Sequence, residues 1–300
     1  MKNNFINVAL FLLILSAAQL MAAREQSVTW KDLLKDKEKI LNANEFTIVN
    51  KQYYSFISGR APTISAQEIV SIAIEENNQQ LIDVVDMHDE RISMLPSSPQ
   101  KQSFVAPEYN SGLPSASKMR MGIWLKLKKM ILALDELGPL FGYKPKTISI
   151  KIFEGLRDLE TQKRLFNNKC NEIKKDNPAM SDNDIEFEAA KWVSPCKNNV
   201  PVHSTGAAID IRLWNTETNN FLDLGSFGVI WGTNHAAPTF SENITKEQKV
   251  NRLYLLLAAA QAGLVNYVYE YWHYSDGDRY ASYWKENDIQ KRKAVYGPVN

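Results

Sequence analysis

The sequence predicts an α+β fold, a small mixed or antiparallel sheet with helices packed against it. Two runs alternate at period two, Ile148, Ile150, Ile152 and then Ile209, Ile211, Leu213, and read as strands. Trp124, Leu127, Ile131 and Leu134 recur at helical spacing. Helices and long loops separate the strands without a regular strand-helix alternation, the pattern of an α+β domain. At 300 residues, 44% hydrophobic and 23% charged, the chain is long enough for one core of roughly 200 residues with an appendage, and disorder is excluded as its main state. A formal charge of +1 exerts no general pull on nucleic acid or anionic lipid, so no nucleic-acid partner is expected.

At the N-terminus, Lys2, an apolar run from Ile6 to Ala18 and the small residues Ala17, Ala18, Ala22 and Ala23 before Arg24 follow the order of a secretory signal peptide. The run is shorter than the ~20 residues a spanning helix requires, so residues 1–23 are expected to be cleaved, leaving an exported, periplasmic or secreted protein with no membrane span. Residues 24–79 form a polar, mostly helical lead with a turn at Gly59-Arg60-Ala61-Pro62. From Leu95 to Ser117 the chain is rich in Pro and Ser and reads as an irregular surface connection. The helix through Trp124 has Gly138 as its stop, and the strand through Ile152 leads to a corner, Gly155-Leu156-Arg157, before a helix starting near Asp158. In the strand through Ile211, Asp210 falls on the face opposite the three apolar side chains. Thr245 and Gln248 form a capping box ahead of Leu253, Leu257 and Ala260, Gly263 ends that helix, and a last strand is expected from Tyr267 to Tyr271. Residues 80–285 are expected to form the main domain and 286–300 a C-terminal tail. Export would permit a disulfide between Cys170 and Cys196, the two cysteines of the chain; two reduced, buried thiols are the alternative.

Two of the four histidines, His203 and His273, lie beside acidic residues and strand ends. In His203-Ser-Thr-Gly206-Ala-Ala208-Ile-Asp210 an imidazole in a loop precedes a carboxylate on a strand, with Gly206 allowing a tight turn between them. Glu270-Tyr271-Trp272-His273 supplies a second imidazole with a carboxylate three residues before it. In a regular strand that spacing would put the two on opposite faces, so the strand must end or bulge between them if both serve one site. Two imidazoles, one carboxylate and an open fourth position are the ligand set of a catalytic zinc, one per chain, with Glu270 as the base acting on the water it activates and Arg157 as a fixed cation for the oxyanion. Each of these residues alone is more often structural, and only their joint occurrence in this order points to chemistry. His88, in a charged turn, and His235, in a loop, are read as non-functional.

These residues resemble the zinc D-Ala-D-Ala dipeptidases of the vancomycin-resistance type, within the wider D-Ala-D-Ala metallopeptidases. The family pattern, Ser-x-His-x-x-Gly-x-Ala-x-Asp followed by Glu-x-Trp-His and preceded by a Gly-Tyr-Arg corner, is matched at His203, Gly206, Ala208 and Asp210, then Glu270, Trp272 and His273, and at Gly155-Leu156-Arg157. The resemblance implies zinc on His203, Asp210 and His273, Glu270 as catalytic base and Arg157 as transition-state stabiliser. It implies a D-Ala-D-Ala dipeptide or a peptidoglycan stem peptide as substrate, with Ser226, Tyr271 and Trp272 as candidate substrate contacts. Two positions depart from the pattern. The leading Ser is Pro201, and the Gly-Ser-x-Phe-Asp segment, whose Asp holds a free ammonium, reads Gly225-Ser226-Phe227-Gly228. Without that carboxylate an ammonium loses its partner, so Glu217, Asp223 or Glu242 must substitute or the substrate is a longer peptide. The competing readings are a zinc-stabilised wall-binding protein without turnover and a metal-free exported interaction protein.

Overall fold

In the computed structural model, which describes residues 28–37, 46–95, 115–190, 193–225 and 237–299, the chain folds as an α+β protein around a mixed sheet of six strands. Its N-terminal part contributes helices α1 (Trp30–Asp36), α2 (Thr47–Ile57) and α3 (Gln67–Val70) and strands β1 (Ala73–Ile74), β2 (Leu81–Asp83) and β3 (Ile92–Met94). Strand β4 (Lys118–Arg120) leads into α4 (Met121–Leu137), strand β5 (Ile148–Glu154) into α5 (Leu159–Asp176), and α6 (Asp182–Ala190) follows. Next come β6 (Ala208–Asn215), β7 (Asn220–Phe221), α7 (Lys246–Gln261), the hairpin of β8 (Val265–Asn266) and β9 (His273–Ser275), α8 (Arg279–Lys285) and β10 (Lys293–Ala294). The expected signal peptide, Ser226, Trp231, His235 and most of the Pro-rich connection lie outside the described residues.

The sheet runs β3-β5-β6-β9-β8, with β7 also on β6. Strands β3 and β5 are parallel and the other pairs antiparallel. Ile150 opposes Leu213 and Ile152 opposes Ile211, so the predicted alternation lays one continuous aliphatic face, which α4 and α7 cover. Trp124, Leu127, Ile131 and Leu134 are all buried on α4. Residues 251–259 of α7 are buried without interruption, which identifies α7 as a helix enclosed on all sides. The capping box of Thr245 and Gln248 is formed, and Gly263 ends the helix region at φ +79°.

Helix α4 ends at Leu137 with Gly138 as its C-cap, as expected; Gly138 is right-handed and passes the chain into a 3-10 turn that closes at Gly142, φ +83°. Three expectations are corrected. No strand spans Tyr267 to Tyr271. Those residues form the turn between β8 and β9, because their aromatic rings pack in the core rather than alternating across a sheet. Cys170 and Cys196 are free thiols. Cys196 Sγ lies 3.9 Å from the Leu159 carbonyl at the start of α5, whereas Cys170 is eleven residues further along that helix, roughly 16 Å at 1.5 Å per residue. Finally, the lead is not an appendage. Trp30 is fully buried, stacks edge-on against Phe240 and donates its indole N–H to the Ser241 carbonyl, and Val49 and Tyr53 belong to the same core.

Candidate metal centre

The face of the sheet opposite the aliphatic core is polar. Register places Asp210 on β6 directly opposite His273 on β9. On the other side the pairing of β5 with β6 shifts between Ile152 and Glu154, so that Glu154 rather than Phe153 opposes Asp210. A bulge of this kind adds one residue and re-aims the next side chain. Without it, period-two alternation would turn Glu154 toward the aliphatic face.

His203 arrives from a different element, a single 3-10 turn over residues 202–205 that ends at Gly206, φ +69°. A Cβ at Gly206 would approach Leu81 Cδ2 to 2.8 Å. The turn needs glycine for its left-handed backbone and for this close approach. The His203 ring is oriented by the Gly155 carbonyl, 2.8 Å from Nδ1. A carbonyl only accepts, so Nδ1 carries the proton and Nε2 presents its lone pair inward. Gly155 is fixed in turn by its own N–H to the Ala116 carbonyl, and a Cβ there would meet the Lys118 carbonyl at 2.4 Å.

Three ligand atoms thus converge. His203 Nε2 lies 3.1 Å from His273 Nδ1 and 3.4 Å from Asp210 Oδ1, and the last two are 3.1 Å apart. Tetrahedral bonds of about 2.0–2.1 Å to zinc imply ligand separations of about 3.3 Å, so the triangle has the dimensions of such a site. All three residues are buried, and Asp210 Oδ1 accepts no hydrogen bond of good geometry among the described residues. A buried, unsatisfied carboxylate oxygen facing two ring nitrogens is what a cation would complete.

The electrostatics agree. Burial by itself would raise the Asp210 carboxyl, but His203 and His273 outweigh it and hold it well below the usual carboxylate range. Burial would lower His203, and Asp210 reverses the sign, so its imidazole is raised. Glu270 sits in the turn before β9, closed by Glu270 N–H to the Tyr267 carbonyl (2.9 Å) and His273 N–H to the Glu270 carbonyl (3.1 Å). The strand therefore begins only after Glu270, the condition its spacing from His273 demanded. Its carboxylate stands 3.8 Å from His273 Nδ1 with about a quarter (24%) of its side-chain surface open. Burial pushes Glu270 up to about 7, with the Asp210 charge adding to the rise and His273 opposing it.

Arg157 is buried at the strand-to-helix corner. It donates from Nε and Nη2 to the two oxygens of Glu154 (2.8 and 2.5 Å) and from Nη1 to Gln162 (2.8 Å). Glu154 and Gln162 are the partners that sequence reasoning missed. The only signal was a carboxylate three residues before Arg157, and the bulge that brings it to this face has no sequence signature. Three acidic residues (Glu154, Asp210, Glu270) gather near the Arg157 guanidinium, and a divalent cation would add positive charge to this acidic cluster.

Comparison with protein families supplies an independent observation. Residues 174–291 match the family described as D-ala-D-ala dipeptidase. The matched segment encloses His203, Asp210, Glu270 and His273, while Glu154 and Arg157 precede it. No match to a curated protein was found.

The remaining candidates lie elsewhere. Tyr271 and Trp272 are buried in the main core, Tyr271 with the Arg252 guanidinium 3.9 Å from its ring centre, so neither offers an open wall to a substrate. Glu217 pairs with Lys144, Asp223 accepts from Gln248, and Glu242 pairs with Lys249, so each of the acids considered as ammonium partners is already engaged. His88 occupies a left-handed turn position, φ 46°.

Proposed function

We propose that the protein is a zinc-dependent peptidase of D-alanyl-D-alanine or related D-amino-acid peptides, acting in cell-wall metabolism outside the cytoplasm. The observation that carries this reading is the convergence of three buried ligand atoms, one an unsatisfied carboxylate oxygen, with the Glu270 carboxylate beside them. His203, Asp210 and His273 would hold the metal. When bound, a zinc ion supplies a Lewis acid for the scissile carbonyl and makes water acidic enough to lose a proton near neutrality.

Glu270 takes that proton as water attacks the amide and returns it to the leaving amine. Its partial exposure lets it reach substrate, and its carboxylate stands 3.8 Å from His273 Nδ1, one of the three ligand atoms. Arg157 stabilises the oxyanion. Glu154 and Gln162 lock its guanidinium in place, so no reorganisation accompanies the reaction. For the substrate, Pro201 in place of the family's serine, and the engagement of Glu217, Asp223 and Glu242 with other partners, favour a stem peptide over a free dipeptide, because a free ammonium would be desolvated without a counter-charge.

The test is metal content together with D-Ala release from free D-Ala-D-Ala and from a muramyl pentapeptide. About one zinc per chain is expected, with turnover preferring the longer peptide and falling by about 10²–10⁴ in Glu270→Ala. Zinc without turnover on either peptide would instead indicate a wall-binding protein, and absence of zinc would refute the metal assignment.

A further inference from the structure

In and just after the short turn that carries His203, the carbonyls of residues 203–206 each accept a hydrogen bond from elsewhere in the chain. Ser204 accepts from the Val299 N–H (2.7 Å), Thr205 from Arg120 Nε (2.8 Å) and Gly206 from the Arg120 backbone N–H (2.8 Å). The His203 carbonyl itself accepts from the Arg157 N–H at 3.2 Å. A four-residue 3-10 turn has too few internal bonds to hold an imidazole to a fraction of an ångström, so these external donors set where the ring stands.

Arg120 is the node. It is 6% exposed, and besides Thr205 its guanidinium donates to the Gln79 carbonyl (2.6 Å), the Gly297 carbonyl (3.3 Å) and Glu76 (3.2 Å). Glu76 also accepts the Gly297 N–H, so the Arg120–Glu76 pair grips both polar groups of one backbone unit near the C-terminus. The Tyr296 ring packs 5.2 Å from the guanidinium, and its hydroxyl donates to Gln79. Strand β10 pairs in parallel with β1, which brings residues 295–299 back across the metal turn.

We infer that Arg120 and the C-terminal strand-and-strap of residues 293–299 position His203 for metal binding, as a support shell outside the ligands. Arg120 is a positioning residue: it acts through the carbonyls of the metal turn. The inference rests on the metal reading above, and its test separates the two. Groups that orient metal ligands typically contribute tenfold to hundredfold in affinity. Arg120→Gln should therefore weaken zinc and cobalt(II) binding by about that factor, measured by competition with a chelator, and alter the visible spectrum of the cobalt(II)-loaded protein. Arg120→Lys, which keeps the charge and one donor, should recover part of the loss. A chain ending at Pro298 removes the Val299 N–H while keeping the Gly297 peptide carbonyl that Arg120 contacts, and should show a smaller loss, which keeps the test decisive if Arg120→Gln folds poorly. Arg91→Ala, which breaks a half-buried bidentate pair with Asp135 at the far end of β5, is the control: stability falls while metal affinity holds. Wild-type affinity and spectrum in both Arg120→Gln and the shortened chain would overturn the inference alone. Failure of the wild-type chain to bind metal would overturn the metal reading, and this inference with it.

Discussion

Asp210 is the residue on which the site's charge balance turns. Its carboxylate stays ionised because two imidazoles face it, and His203 is raised for the same reason. The sign for metal binding follows. His203 is raised, so it holds its proton to higher pH than an ordinary imidazole and a metal must displace that proton, while Glu270, pushed up to about 7, lies beside the ligands and is not one of them. Affinity for zinc should therefore rise with pH through neutrality, by up to about tenfold per unit for each proton released. Asp210, held low, imposes no loss until strongly acid conditions. Proton release on titrating zinc into weakly buffered protein at pH 6 checks this, and a flat affinity between pH 5 and 8 would contradict it. Glu154 gives a second prediction at this scale. Replacing it by Gln leaves the Arg157 guanidinium buried without its carboxylate, which should destabilise the metal-free protein by about 3 kcal/mol in denaturant unfolding. The same change should also lower turnover, because the guanidinium loses its fixed orientation.

At the scale of elements, the site exists because three local devices act together: the bulge in β5, the glycine-hinged turn before β6 and the turn that delays β9 until His273. The corner after β5 is the most constrained of them. Gly155 both orients His203 through its carbonyl and has backbone where a Cβ would stand. Gly155→Ala must push β5 away from residues 116–118, with an expected loss of about 2 kcal/mol or more and a parallel loss of metal affinity. Unchanged zinc stoichiometry and midpoint in that variant would show that the corner is softer than its contacts imply. At the start of α5, Asp158 caps the helix by accepting from the Thr161 N–H at 2.7 Å. Asp158→Ala should cost about 1 kcal/mol without touching the metal centre, since the cap lies beyond Arg157 and none of its bonds reaches the ligands.

For the molecule as a whole, Trp30 and Tyr296, far apart in the chain, are structural parts of one core. Trp30 is fully enclosed between α7 and the segment around Phe240, and Lys249, itself buried, donates to the Val28 carbonyl and pairs with Glu242. Trp30→Ala should lower unfolding free energy by about 3–5 kcal/mol, as for other large aromatic deletions. Metal affinity should hold wherever the variant remains folded, because Trp30 packs on the aliphatic side of the sheet. A two-state denaturation curve with a shifted midpoint, and zinc still bound below it, would support that division. None of the described helices is long and apolar enough to cross a membrane.

The sequence by itself determined the strands through Ile150 and Ile211, the two long buried helices and the identity of the three converging metal-ligand candidates. Their periods and spacings are local, and local geometry follows from side-chain alternation and capping. Only the tertiary structure decided what joins distant segments. Glu154 faces Asp210 because of a bulge that depends on strand pairing. Cys170 and Cys196 are kept apart by the length of α5. Tyr271 and Trp272 are core residues because the turn carrying them is enclosed by the chain. Arg120 and residues 293–299 reach the His203 turn through contacts more than eighty residues apart in sequence, for which no spacing rule exists. Long-range contacts are selected by the packing of the whole fold, and that selection leaves its mark in distances, not in neighbouring residues.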